Sequence, residues 1–220
     1  MVDVDQAVAC AHAGADWLGL NFHRPSPRYV EPKRAADIAA ALPPSTRPIG
    51  VFVNQPIERV REVARAVGLW GVQLHGDETP ADAARLADLR VIKAFRLGSL
   101  ADWPRVTAFI HDALDLGVAL EGVLVDAYVP GQAGGTGQTV PDELLDLIAG
   151  TPRLILAGGL NPGNVARLVA RVRPLVVDVA SGVESAPGRK DLAKVAAFVR
   201  AVRVGEQAIR DPSPPPQSRS

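Results

Sequence analysis

Short apolar runs alternate along the chain with longer stretches in which apolar residues recur every three or four positions. The runs are Trp17–Phe22, Pro48–Val53, Gly71–Leu74, Val91–Phe95, Gly122–Asp126, Leu154–Ala157 and Leu175–Val179. Each is four to six residues long and rich in Val, Ile or Leu, the pattern of strands buried on both faces. The intervening stretches, Pro32–Leu42, Pro56–Val67, Thr79–Leu86, Asp102–Leu114, Pro141–Ile148, Asn164–Val172 and Leu192–Val204, read as amphipathic helices. Proline opens several of them, where its missing N–H leaves no helical hydrogen bond unmade. One further helical stretch, Asp5–Ala13, precedes the first strand and stops at Gly14.

Strict β/α alternation with short connections predicts a parallel sheet, either open and doubly wound or closed as a barrel. The count favours an α/β protein of the (β/α)8, or TIM-barrel, class. Eight helical stretches accompany seven strands, and the position without a strand is the first. Residues 1–204 therefore read as one barrel domain lacking strand 1. The pattern stops after Val204, and residues 205–220, which include Asp211-Pro212-Ser213-Pro214-Pro215-Pro216, read as a disordered Pro/Ser-rich tail.

Composition narrows the range of partners. Lys plus Arg number 24 and Asp plus Glu 24, so the formal charge is zero. That balance argues against nucleic acid, whose phosphates are held by an excess of basic side chains. With 47% hydrophobic and 22% charged residues, the chain has enough apolar surface to bury a full core. No apolar run approaches the ~18 residues of a membrane span. A single cysteine excludes an internal disulfide and any cysteine-cluster metal site. The acidic start, Met1-Val2-Asp3-Val4-Asp5, has no signal-peptide pattern. These features predict a cytoplasmic protein without membrane contacts.

In barrels of this class the chemistry sits on loops at the C-terminal ends of the strands. The last two such loops carry Ala157-Gly158-Gly159-Leu160-Asn161-Pro162 and Ala180-Ser181-Gly182-Val183-Glu184. Small residues let backbone N–H groups approach an anion, and two such loops in succession suit a phosphate clamp better than two unrelated tight turns. Asp126 ends its strand at the barrel mouth. A carboxylate there can be a general acid if apolar walls raise its pKa, or it can simply cap a turn, and the pattern leaves both open. On the loop Asn21–Tyr29, Arg24 or Arg28 can grip a carboxylate bidentately, although Arg24 reads more simply as a surface residue. His75 stands at another strand end, as a ligand-facing or a structural histidine. Lys93, inside Val91-Ile92-Lys93-Ala94-Phe95, is either an internal cation or a side chain whose head reaches solvent between strand and helix. Cys10 sits among alanines in the first helix and reads as a small packing residue. Gly134–Thr139 is a glycine-rich loop without the Gly-Lys-Ser/Thr of a P-loop, either a cover over the mouth or a plain linker.

Several motifs in order carry a family resemblance. They are Gly14-Ala15-Asp16, Ser26-Pro27-Arg28-Tyr29, Val51-Phe52-Val53-Asn54, Val72-Gln73-Leu74-His75-Gly76, Val91-Ile92-Lys93-Ala94, Gly134-Gly135-Thr136-Gly137, Gly158-Gly159-Leu160-Asn161-Pro162, and Asp178-Val179-Ala180-Ser181-Gly182-Val183-Glu184 continuing through Pro187-Gly188-Arg189-Lys190-Asp191. Together they resemble the phosphoribosylanthranilate isomerases of tryptophan biosynthesis. That resemblance implies an Amadori rearrangement of N-(5'-phosphoribosyl)anthranilate, with no cofactor and no metal. It assigns Asp126 as general acid, Arg28 as holder of the anthranilate carboxylate, and Gly158, Gly159, Ser181 and Gly182 as the phosphate site. His75 and Asp178 match ligand-facing strand ends. A small phosphoribosyl substrate is the implied partner, and family members are monomers or homodimers.

The family's general base is a cysteine in a Lys-Ile-Cys-Gly-like first strand, and the sequence carries no such segment. The expectation is therefore an internal methionine at Met1, roughly ten residues of missing strand, and little or no turnover from the chain as given. The alternatives are an inactive phosphate-binding barrel relative or another phosphate-binding barrel synthase.

Overall fold

A computed structural model describes residues 1–126 and 142–211. The glycine-rich Gly134–Thr139 loop and most of the expected tail lie outside the described residues. Seven parallel strands, β1 (Trp17–Asn21), β2 (Arg47–Phe52), β3 (Gly71–Leu74), β4 (Val91–Arg96), β5 (Gly122–Asp126), β6 (Leu154–Ala157) and β7 (Val176–Val177), pair in chain order within one sheet. The helices between and around them are α1 (Val4–His12), α2 (Pro32–Ala41), α3 (Ile57–Val67), α4 (Pro80–Ala84), α5 (Trp103–Asp115), α6 (Asp142–Ile148), α7 (Val165–Val172) and α8 (Leu192–Arg210). This is the order of a (β/α)8 barrel, with seven of its strands among the described residues.

Period-2 alternation sorts the strand side chains into two layers. One set faces inward, where Ile49, Ile92, Ala94, Leu124, Ile155 and Ala157 form an interior cluster with Trp17, Trp70 and Val176 packed against it. Residues from both ends of the sheet meet there, so the sheet curls around its own core. The other set, including Leu18, Leu20, Phe52, Leu74, Val91, Phe95, Val123, Val125 and Leu156, packs under the helices.

Local signals fix the helix ends. Asp3 accepts a hydrogen bond from Gln6 N to start α1, Thr79 and Asp82 form a capping box on α4, and Asp191 accepts from Ala193 N and Lys194 N at the head of α8. Gly68 ends α3 in the left-handed region at φ 72°.

Two boundaries differ from the sequence reading. Helix α8 continues past Val204 to Arg210 and buries Gly205, so the expected 204/205 domain boundary falls inside a helix. A Cβ on Gly205 would lie 2.5 Å from the Ala166 carbonyl, which shows how closely α8 crosses α7. Strand β7 is two residues long rather than five. Among the described residues it stands at the end of the sheet and is laddered only to β6. At the opposite end, the β1 edge is met by the Met1 amine on the Gly19 carbonyl at 2.9 Å and by Val30 N on the Asn21 carbonyl at 2.9 Å.

An antiparallel hairpin, β8 (Glu184–Ala186) with β9 (Arg189–Lys190), follows β7 and was not expected. Its polar, small residues give no hydrophobic alternation to read.

Candidate active site at the C-terminal ends of the strands

The same alternation that builds the interior cluster sets the polar residues of the site. On β5, Gly122, Leu124 and Asp126 share the inward face. Gln73 and His75 do so at the end of β3, as do Val176 and Asp178 at the end of β7. Asp126, His75 and Asp178 therefore stand at the C-terminal rim and line one cavity of about 1460 Å³. Arg28, Ser26, Asn54 and Ser181 line the same cavity. Of the residues assigned to the site from the sequence, Arg28, His75, Asp126, Asp178 and Ser181 line this cavity, whereas Gly158, Gly159 and Gly182 are not among its lining residues.

His75 is held from two sides. Its backbone N–H donates to the Phe52 carbonyl at 2.8 Å, and its Nδ1 lies 2.8 Å from Gln73 Nε2. Burial lowers its pKa from the usual 6.5, against the opposing pull of the Asp126 and Asp178 charges. Asp178 touches solvent inside the cavity, yet the protein that rings it raises its carboxyl above the usual range, with His75 and Lys190 acting in the opposite sense. Asp126 forms an ion pair with Arg96 Nε at 3.8 Å. Side chains with such opposed shifts in one cleft are what acid–base chemistry requires.

The glycine loops meet. A Cβ on Gly182 would lie 1.9 Å from the Leu160 carbonyl, so only glycine allows the loop after β7 to approach the loop after β6 so closely. Gly158 and Gly159 adopt φ 94° and 61°, and the side-chain amides of Asn161 and Asn164 both donate to the Gly159 carbonyl. Ser181–Val183 forms a single 3₁₀ turn.

Arg28 is placed at the cavity but not alone. Its Nε and Nη2 donate to Glu184 Oε1 and Oε2 at 2.8 and 2.5 Å. Burial pushes the Glu184 carboxyl up, but hydrogen bonds from Arg28 and the charge of Lys190 outweigh it and hold it below its usual 4.5. Glu184 and Lys190 were not assigned from the sequence. Glu184 meets Arg28 across 156 residues of chain, and the available signal for its contact with Lys190 was the Pro187-Gly188 turn that folds the hairpin.

Arg24 lies outside this group, on the surface against Tyr29, with an exposed side chain. Lys93 is buried and faces the helix layer without reaching solvent. Its Nζ donates to Glu78 Oε2 at 2.9 Å and to the Gly76 carbonyl at 2.6 Å. Burial lowers its pKa, and Glu78 offsets part of that. The other Glu78 oxygen accepts from Asn54 N at 2.8 Å, so this pair latches the loops after β2 and β3 beneath His75. Cys10 is buried in α1 with its thiol pushed up by burial, a packing residue. Among the described residues, no three His, Cys, Asp or Glu side chains are grouped to hold a metal, and no helix is long and apolar enough to cross a membrane.

The comparisons with known proteins agree with one another. The family model for N-(5'-phosphoribosyl)anthranilate (PRA) isomerase matches residues 2–201. A protein of Trichlorobacter lovleyi with that name is 45% identical over 197 residues, covering 89% of this chain and 91% of its own. The crystal structure of the Thermotoga maritima phosphoribosyl anthranilate isomerase superposes with a TM-score of 0.82 at 34% identity, covering 92% of this chain and 95% of that one. A second isomerase structure, in complex with reduced 1-(o-carboxyphenylamino)-1-deoxyribulose 5-phosphate, gives a TM-score of 0.77 at 32% identity over the same shares. The chain belongs to the N-(5'-phosphoribosyl)anthranilate isomerase family.

Proposed function

We propose that the chain acts in tryptophan biosynthesis, converting N-(5'-phosphoribosyl)anthranilate to 1-(2-carboxyphenylamino)-1-deoxyribulose 5-phosphate. The observation that carries this reading is the meeting of Asp126, His75, Asp178 and Arg28 on one cavity at the C-terminal rim. The phosphate of the substrate binds at the backbone of Gly158, Gly159, Ser181 and Gly182, where two loops touch. The anthranilate carboxylate binds to Arg28, whose Nη1 side is left open by the Glu184 fork.

Asp126 donates a proton to the ribose ring oxygen. The C1'–O bond breaks, the nitrogen lone pair forms the C1'=N bond, and the ring opens. Loss of the C2' proton to a base then gives an enolamine, and proton return to C1', with loss of the C2' hydroxyl proton that restores the acid, leaves the C2' ketone. Atoms and charge balance without an oxidant, because the imine nitrogen accepts the electron pair. The family resemblance assigns the C2' proton to a first-strand cysteine. Cys10, in α1 and with a raised thiol pKa, does not take that role.

Titration with the reduced product tests the assignment. Arg28→Ala is expected to weaken its binding at least tenfold while inorganic phosphate binds as before, and an unchanged affinity for the reduced product would refute the carboxylate role. Asp126→Asn is expected to abolish turnover.

A further inference from the structure

We infer that Glu184 is a positioning residue for substrate recognition, the centre of a strut joining the carboxylate end of the site to its phosphate end. This rests on the reading above that Arg28 receives the anthranilate carboxylate. Glu184 is buried, with its side chain only 4% exposed, whereas the Arg28 side chain is 29% exposed on the cavity. A guanidinium offers two faces for a bidentate contact, one on Nε and one Nη, the other on its two Nη atoms. Glu184 occupies the first face, through Nε and Nη2. The second face remains for an incoming carboxylate, and the fork removes the rotational freedom that binding would otherwise have to freeze.

The other half of the strut runs through Lys190. Its Nζ donates to Glu184 Oε1 at 3.2 Å and to the Ala180 carbonyl at 2.9 Å. Ala180 heads the 3₁₀ turn that carries Ser181 and Gly182. Lys194 Nζ donates to the Glu184 carbonyl at 3.1 Å, fixing the backbone of the hub to α8. The hairpin holds these groups in place. Gly188 at its turn packs under the loop bearing Arg28, where a Cβ would meet the Pro27 carbonyl at 3.4 Å. One buried carboxylate thus sets the direction of Arg28 and, through Lys190, the seat of the phosphate turn.

Glu184 could instead be a rival that occupies Arg28 until substrate displaces it, and the two roles predict opposite results. Wild-type protein and Glu184→Gln are titrated separately with the reduced product and with inorganic phosphate, and folding is checked by thermal melting. The strut predicts that Glu184→Gln weakens the reduced product about tenfold and inorganic phosphate by a smaller factor, and that KM rises more than kcat falls. Unchanged or tighter binding of the reduced product would overturn it. Glu184→Asp keeps the charge and shortens the reach to Arg28. It is predicted to lose affinity in the same direction, and it stands in if the amide variant does not fold. Failure of the wild type to bind the reduced product would instead sink the functional reading, and the inference with it.

Discussion

At the residue scale, His75 shows how the environment decides a role. Its lowered pKa follows from burial, and Gln73 Nε2 beside Nδ1 leaves Nε2 to carry the proton. The ring is therefore a neutral hydrogen-bond donor near neutral pH, suited to a ligand hydroxyl or oxyanion. The unfolded chain takes up a proton at the ordinary value near 6.5, and the folded chain only below it. The fold is accordingly weakened as pH falls through that interval and recovers above it. Nitrogen-15 NMR of the imidazole across pH 5–8 is expected to show the Nε2–H tautomer titrating below the ordinary value, and titration at or above it would contradict the argument. The inward position of His75 follows from strand parity, and so was legible in the sequence. Its pairing with Gln73 was equally local, two residues away on the same face, but went unread because a neutral amide carries no chemical signature of its own.

At the element scale, the buried pair Lys93–Glu78 ties β4 to the loop between β3 and α4. Both side chains are nearly inaccessible, at 3% and 4% exposure. Removing one partner strands the other's charge, so Lys93→Met is expected to destabilise the fold by about 3–5 kcal/mol. Adding Glu78→Gln should recover part of that loss in urea unfolding, and no recovery would mean that the pair does not act as a unit. Helix α8 is the second case. Gly205→Val forces a side chain against the Ala166 carbonyl and Val169, where a Cβ would already be 2.8 Å from the Val169 Cβ. The expected cost is about 1–3 kcal/mol, read as a lower thermal midpoint. The sequence marked six of the seven strands to within a residue at each end, because strands buried on both faces announce themselves as apolar runs. It stopped α8 at Val204, just before Gly205, because the apolar repeat gives way there to a polar stretch that leads into the Pro-rich tail. Only the close crossing with α7 explains why a glycine is needed there. The hairpin was invisible for the opposite reason, since Ser185, Ala186, Arg189 and Lys190 have no apolar face and are held by Glu184 and the loop at Pro27.

At the scale of the whole molecule, the curled sheet gathers residues from β3, β5 and β7 and from two loops onto one rim. Strand parity could predict that Asp126, His75 and Asp178 point inward. It could not predict that Arg28 is clasped by a carboxylate 156 residues away, because that contact exists only once the sheet has curled. The central claim is that this rim holds one ligand in one orientation, with its ring carboxylate at Arg28 and its phosphate at the two glycine loops. A crystal structure with the reduced product bound tests this most directly. The account predicts the carboxylate on the open Nη face of Arg28, the phosphate on the backbone of Gly158, Gly159, Ser181 and Gly182, and the ribulose oxygens within reach of Asp126. A ligand bound in the reverse direction, or away from Arg28, would contradict it.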